Sequence, residues 1–342
     1  MAQPLYAFVM HRRFLFIASI IWSLAIHPVS AEPLDRPVWT FTLENDLPAD
    51  TDRYYTNGFR IGRTSALNDV PTVMIDAASS VLGPIGDVRW RAGLGQSLYT
   101  PTEIDRETPN PTDQPYAAWL YGTVGLINDV TLDGHSRQTS VLLSLGVVGP
   151  AALGEQTQDF VHDLIGSQDP QGWDSQLDNE PALLLTVERR WVVPSREIIS
   201  GLRADLAPHA GLALGNVFTH AAAGMTLRFG EPPNGDYGPP RIQPHTPGSE
   251  YFAPATDGAS FNWYVFTGIE GRAVARNIFL DGNTFGDSAS VEKNPFVMDA
   301  SAGAVVVIGN LRLAYIHALR TQEFEGQAGP SVFSGLSVGW RF

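Results

Sequence analysis

His162 lies four residues after Gln158, in a stretch where Phe160, Val161, Leu164 and Ile165 recur with a helical period. Residues i and i+4 share a helix face, so Gln158 and His162 project together. Gly154-Glu155 precedes this stretch, and Gly166, Pro170 and Gly172 close it. The spacing therefore predicts a short helix inside the longer connection 150–180. An imidazole titrates at about 6.5 and suits general-base work near neutral pH. Asn45-Asp46 offers amide and carboxylate oxygens of the kind a hard cation such as calcium prefers. Thr56 follows nearby, and Arg60 and Arg106 carry guanidinium groups suited to phosphate.

The elements that position these residues are strands. In 331–342 the even positions are Val332, Ser334, Leu336, Val338, Trp340 and Phe342, whereas the odd ones are Phe333, Gly335, Ser337, Gly339 and Arg341. One face is mostly apolar and the other mostly small or polar, the lipid-out, lumen-in pattern of a membrane barrel strand. The terminal Phe342 resembles the assembly signal of bacterial outer-membrane proteins. In 262–274, Tyr264, Glu270 and Arg272 share a face opposite Trp263, Val265 and Ile269; in 311–320, Arg312 and Arg320 lie opposite Leu311, Leu313, Tyr315 and Leu319.

Twelve strands are predicted, at 37–46, 55–66, 87–98, 115–128, 138–149, 181–194, 203–214, 218–230, 262–274, 295–309, 310–323 and 331–342. The expected fold is all-β: a transmembrane antiparallel β-barrel with a short helix in one long loop. Connections 66–86 and 231–261 are rich in Pro, Gly and Asp, and the second, opening Glu231-Pro232-Pro233-Asn234-Gly235, reads as an exposed loop. Asp46 shares parity with Thr42 and Glu44, and Thr56 and Arg60 lie opposite Phe59 and Ile61. Strand alternation then puts Asp46 and Thr56 inside the barrel, with Asn45 on the other face unless the strand bends there. Tyr116 and Trp119 read as membrane-interface aromatics. His209, His220 and His317 sit in strands without acidic company and read as structural.

Composition narrows the function classes. Arg12 and Arg13, the apolar run 14–26 and Val29-Ser30-Ala31 form the pattern of a cleaved signal peptide over 1–31, leaving 32–342 as one barrel domain. The remainder holds 20 basic and 36 acidic residues, a formal charge of −16. That argues against nucleic-acid binding, and an anionic lipid partner would need local cations or a divalent ion to mediate contact. Cysteine is absent, which excludes thiol catalysis and cysteine metal sites.

Four segments carry a resemblance. They are Glu44-Asn45-Asp46; Asp52 to Arg60; Gly95 to Pro101 continuing through Asp113 to Leu120; and Gly149-Pro150 through Gln158, His162, Gly166, Gly172-Trp173 and Gln176-Leu177 to Asn179-Glu180. In order and spacing, over about 37–195, they resemble the outer-membrane lipid A 3′-O-deacylase family. The resemblance implies an esterase in the bacterial outer membrane that hydrolyses the 3′-linked acyloxyacyl chain of lipid A. It implies a calcium-dependent mechanism, with a histidine activating water and the metal stabilising the oxyanion. The family's histidine falls on His162, its Asn-Asp pair on Asn45 and Asp46, its threonine on Thr56, and a neighbouring helix position on Gln158. The family's acidic residue six positions after the histidine is here Gln168, with Asp169 next, so the resemblance implies calcium held by Asp46 with Asp169, with Asp174, or in a weaker site. Arg60 and Arg106 would meet lipid phosphates, and the chain is expected to act as a monomer.

Two alternatives remain open. An outer-membrane phospholipase with a serine nucleophile calls for a His-x-Ser pattern on a strand; His135-Ser136 lies in a predicted turn, and His162 precedes Asp163-Leu164. A passive pore or non-catalytic barrel needs a wide lumen, for which twelve strands leave little room.

Overall fold

Alternation along each strand decides which side chains meet lipid and which fill the interior. On β1 (Val38–Asn45), Trp39, Phe41 and Leu43 are 42–48% exposed, whereas Val38, Thr42 and Glu44 are buried. A computed structural model describes residues 36–45, 53–132, 135–199, 202–233, 236–242, 250–253 and 261–342. The predicted signal segment 1–31 and Asp46 lie outside the described residues.

The remaining strands are β2 (Tyr54–Thr64), β3 (Asp87–Thr100), β4 (Ala117–Leu132), β5 (His135–Val148), β6 (Glu180–Ile199), β7 (Leu202–Gly215), β8 (Phe218–Glu231), β9 (Phe261–Asn277), β10 (Phe296–Ile308), β11 (Leu311–Arg320) and β12 (Ser331–Arg341). All twelve pair antiparallel with their sequence neighbours, and β1 closes the barrel on β12 in the register Val38↔Arg341 to Asn45↔Ser334. Each predicted strand is present. The even positions of β12 face outward, Leu336 and Trp340 being exposed while Phe333, Ser337 and Arg341 are buried. The chain's described ends lie at one rim, where three connections are only two residues long. Short turns mark the periplasmic rim, so the opposite rim, with 101–116, 149–179, 278–295 and 321–330, is extracellular.

Helices occupy three connections: α1 (Thr72–Leu82), α2 (Gly154–Ile165) and α3 (Ile278–Asp281). The expectation for α2 holds. α1 stands where only a Pro- and Gly-rich connection was expected. Its Met74, Ile75, Ala78 and Leu82 recur at helical spacing and pack on Val88 and Leu126 of the outer wall, a pattern that the flanking Pro71 and Gly83 obscured.

The interior is filled. Residues 236–242 and 250–253 enter the lumen from the periplasmic rim, with Tyr237, Ile242, Tyr251 and Phe252 buried among strand residues. This corrects the expectation of an exposed loop at 231–261. The backbone's polar groups there find partners on the wall. Arg190 donates to the Tyr237 carbonyl at 2.8 Å, Arg228 to that of Asp236 at 2.7 Å and Arg312 to that of Gly238 at 3.2 Å. Buried carboxylates answer the guanidiniums: Glu188 and Glu270 bond Arg241, Asp205 and Asp236 bond Arg228, and Asp299 bonds Arg272 and Arg320. Charges removed from water persist only when paired in this way. His209 belongs to the network, 2.8 Å from Glu270, so its expected lack of acidic company is corrected. Lateral register supplies that partner, since His209 of β7 and Glu270 of β9 both stand beside Gly224 of the strand between them.

Trp119 stacks on Tyr121 inside the lumen at 3.9 Å between ring centres, and Tyr116 is buried against Trp173. Neither meets lipid, contrary to the interface expectation: Trp119 takes the inward parity of Tyr121, and the 149–179 connection covers Tyr116.

Candidate active site on the outer wall

The connection 149–179 leaves β5 at the extracellular rim and folds back over the outside of β2–β4. Gln96, on the outward parity of β3, donates through Nε2 to the Ala152 carbonyl at 2.6 Å and anchors the turn before α2. α2 then approaches the wall closely at Gly154, where a Cβ would lie 2.5 Å from Ala118 Cβ and 2.6 Å from the Trp173 ring. The helix stops at Gly166, which adopts φ 74° and donates its N–H to the His162 carbonyl at 2.7 Å. Glycine takes that left-handed conformation without steric penalty.

The helix is amphipathic in an inverted sense. Its buried stripe is Gly154, Gln158 and His162, which faces the wall. Phe160 and Leu164 are 67% and 62% exposed, and Leu153 and Ile165 are exposed beside them. A helix in water would bury those side chains; on the outer face of a membrane barrel they meet an apolar medium instead.

Between α2 and the wall lies a cavity lined by Asn45, Thr56, Asn57 and Leu98 from β1–β3 and by Thr157, Gln158, Val161, His162 and Ile165 from the helix. The structure thus brings together four sequence-predicted residues: Asn45, Thr56, Gln158 and His162. It does so outside the barrel rather than within it. A β-bulge between Tyr55 and Asn57 is the cause. The extra residue breaks the two-residue alternation, so Tyr55 points inward to Glu44 at 2.6 Å while Thr56 bonds Thr100 Oγ1 on the outer face, also at 2.6 Å. Asn45, outward by parity, donates from Nδ2 to the Thr56 carbonyl at 3.1 Å. Arg60 does not join them. It points into the lumen and pairs with Glu44 at 2.6 Å. Arg106 lies on the exposed 101–116 connection, paired with Glu103 at 3.0 Å, and does not line the cavity.

His162 is held in one tautomer. Its Nδ1 lies 2.5 Å from the Gln168 carbonyl oxygen, an atom that only accepts, so Nδ1 carries the proton and Nε2 carries the lone pair of the neutral ring. Gln158 orients the next layer, its Oε1 accepting from Trp173 Nε1 at 2.8 Å. Trp173 packs with Leu98, Tyr116, Ala118 and Ala152, tying α2 to the outer wall.

Asp159, one turn before His162, has its carboxyl raised above the ordinary carboxylate range by partial burial and then by the negative charge of Asp169, with His162 opposing. The acidic groups nearest the imidazole are therefore oxygen donors whose mutual repulsion a dication would relieve, and no thiol exists in the chain. Among the described residues no three His, Asp or Glu converge on one point, so these donors fit a hard cation only with a further ligand such as Asp46 or a backbone carbonyl. Asp159 escaped sequence reasoning, although its i, i+3 spacing from His162 was the available signal. Asn57 and Leu98 take the ordinary outward parity of Phe59, Ile61 and Gln96, and they escaped because strand alternation does not reveal where the 149–179 connection folds back over the wall.

No curated protein sequence matches the chain. Among solved structures, LpxR from Salmonella typhimurium superposes with a TM-score of 0.70 at 17% identity, over 89% of this chain and 100% of that one. The β domain of the Bordetella autotransporter Brka gives 0.46 at 11% identity, over 90% of this chain and 99% of that one. The COG4313 outer membrane channel from Pseudomonas putida F1 gives 0.41 at 11% identity, over 93% of this chain and 100% of that one. Residues 15–342 match the family described as Outer membrane protein LpxR, and the chain belongs to that family of outer-membrane barrels.

Proposed function

We propose that the chain hydrolyses the 3′-linked acyloxyacyl ester of lipid A, with His162 as general base. The observation that carries this reading is the His162 imidazole itself. It is buried on the wall-facing stripe of α2, its Nδ1 is committed to a backbone carbonyl, and it lies beside Asn45 and Thr56 at the extracellular, lipid-facing side of the barrel.

In this reading His162 Nε2 takes a proton from water as the hydroxyl adds to the ester carbonyl. The carbon–oxygen bond to the alcohol then breaks, the imidazolium returns its proton to the leaving alkoxide, and acid and alcohol depart. Gln168 keeps the imidazole in the required tautomer through its carbonyl, and Gln158 keeps α2 seated through Trp173. Asn45 and Thr56 form the wall side of the site. Calcium, held by Asp46 and Asp169 with Asp159 as a further donor, would supply positive charge where the carbonyl oxygen becomes negative. Leu153, Phe160 and Leu164 would lie among the acyl chains of the outer leaflet, and Arg106 at the rim is the candidate contact for a lipid phosphate.

A serine mechanism finds no support, since no serine is among the described residues lining the cavity. The filled lumen weighs against a passive pore. Expression in a Gram-negative host lacking its own lipid A deacylase tests the reading. Mass spectra of extracted lipid A should lose a 3′ acyloxyacyl group with the wild-type chain and not with His162→Ala, and chelation of divalent ions should block the loss. Unchanged lipid A with folded wild type, or cleavage of glycerophospholipid instead, would overturn it.

A further inference from the structure

Near the periplasmic rim, on the opposite side of the membrane from α2, two arginines face outward from β5 and β6. Arg137 stands directly across from Trp191, and Arg189 directly across from Thr139, so the guanidiniums are diagonal neighbours on one face. Outward parity is fixed by Leu183, Leu185, Trp191 and Val193, all exposed, against Ala182, Leu184, Glu188 and Arg190, which are buried in the lumen.

Arg189 is braced by its own surroundings, donating to Thr139 Oγ1 at 3.3 Å and to the Val81 carbonyl at the end of α1 at 3.0 Å. Arg137 is not. Its Nε and Nη2 are buried with no hydrogen-bond partner, and Nη2 lies beside Gly83, where α1 ends. Among the described residues no carboxylate forms an ion pair with either arginine, whereas Arg190, Arg228, Arg241, Arg272, Arg312 and Arg320 in the lumen each have one. A buried guanidinium lacking a counter-anion on a lipid-facing surface is costly unless the surroundings supply the anion.

We propose that Arg137 and Arg189 form a binding site for the phosphate of a glycerophospholipid in the periplasmic leaflet. Planar guanidinium groups present forked N–H donors that match phosphate oxygens, and two of them neutralise a lipid phosphate. Trp191 sits beside them as an amphipathic ring at headgroup depth. Exposed Val73, Val81 and Ile85 on and after α1 extend an apolar surface over which the acyl chains of that lipid would lie. The site is independent of the lipid A chemistry on the other leaflet.

Native mass spectrometry of the full chain, released from dodecyl maltoside micelles doped with phosphatidylglycerol, tests the proposal. Wild type should retain the lipid, and Arg137→Gln and Arg189→Gln should each weaken retention about tenfold, as expected for loss of a charge-assisted hydrogen bond. Arg137→Lys should restore part of it. Heat-modifiable gel mobility verifies that each variant is a folded barrel, so loss of retention reads the site and not the fold. Equal retention by wild type and both glutamine variants would overturn the proposal. So would equal retention of diacylglycerol, which would assign binding to the apolar surface alone. Displacement by millimolar inorganic phosphate would assign the arginines to a free anion and refute the lipid.

Discussion

Gly154→Ala is the sharpest test of whether the cavity between α2 and the wall is where chemistry occurs. The added Cβ would lie 2.5 Å from Ala118 Cβ and 2.6 Å from the Trp173 ring. Carbon atoms prefer roughly 3.5–4.0 Å, so relief requires α2 to move away from the wall by about 1 Å. Overpacking of this kind costs about 1–3 kcal/mol. The cost falls on α2, which lies outside the closed hydrogen-bonded barrel, and not on strand pairing. Gln158 and His162 ride on the same stripe and move with Gly154. A displacement of about 1 Å at a catalytic group lowers rate by about a hundredfold. The assay is lipid A mass spectrometry over time in membranes holding equal amounts of folded protein, with heat-modifiable mobility as the control. Ala118→Gly in the same chain removes one of the two collisions and should recover part of the rate. Full activity in a folded Gly154→Ala variant would refute the reasoning, because the site would then not depend on where α2 sits.

Gln158→Leu leaves the buried Trp173 N–H without its acceptor, at a cost of about 1–3 kcal/mol, so activity should fall while the barrel's melting temperature holds. Asp159, whose carboxyl is raised in the folded chain, makes α2 more stable below the ordinary carboxylate range, and that stabilisation is lost as pH rises through the raised value. With divalent ions chelated, Asp159→Asn should therefore increase hydrogen-exchange protection of α2 at neutral pH and change nothing below about pH 4, the ordinary aspartate range. Asp236→Ala removes a partner of both Arg228 and Arg312, and breaking a buried ion pair costs about 3–5 kcal/mol. The gel-shift temperature should drop, while deacylation per folded molecule stays near wild type because the network lies on the other face of the wall. Phe160→Glu with Leu164→Glu puts charge where lipid is expected; activity on membrane-embedded lipid A should fall further than on lipid A dispersed in detergent.

Strand number, order and facing were legible because a lipid-facing wall imposes a two-residue period. Trp39, Phe41 and Leu43 declare the outside of β1, and Leu336 and Trp340 that of β12. The helix at 154–165 was legible from its own period and its closing Gly166. What escaped has a physical reason in each case. The bulge at Tyr55–Asn57 costs one residue of register and has no signature in residue type, yet it moves Thr56 from the lumen to the outer face. The stripe of Phe160 and Leu164 reads as a buried face in water and is an exposed one here, because the solvent is lipid. The 231–261 connection looked exposed by its prolines and glycines, whereas Arg190, Arg228 and Arg312 bond the carbonyls of Tyr237, Asp236 and Gly238 from the barrel wall. Distances along the chain, 47 residues between Arg190 and Tyr237 and 74 between Gly238 and Arg312, hide such contacts from any local pattern.

The placement of the His162 cavity on the outside of the wall changes what concentration means for this protein. A lipid would reach it by sliding sideways within a single monolayer, never by crossing water or threading the barrel. Encounter then depends on how many lipid A molecules share each patch of leaflet, so the quantity to vary is mole fraction in the membrane. Diluting a cell suspension should leave turnover unchanged, whereas diluting lipid A with another lipid in the same leaflet should slow it in proportion.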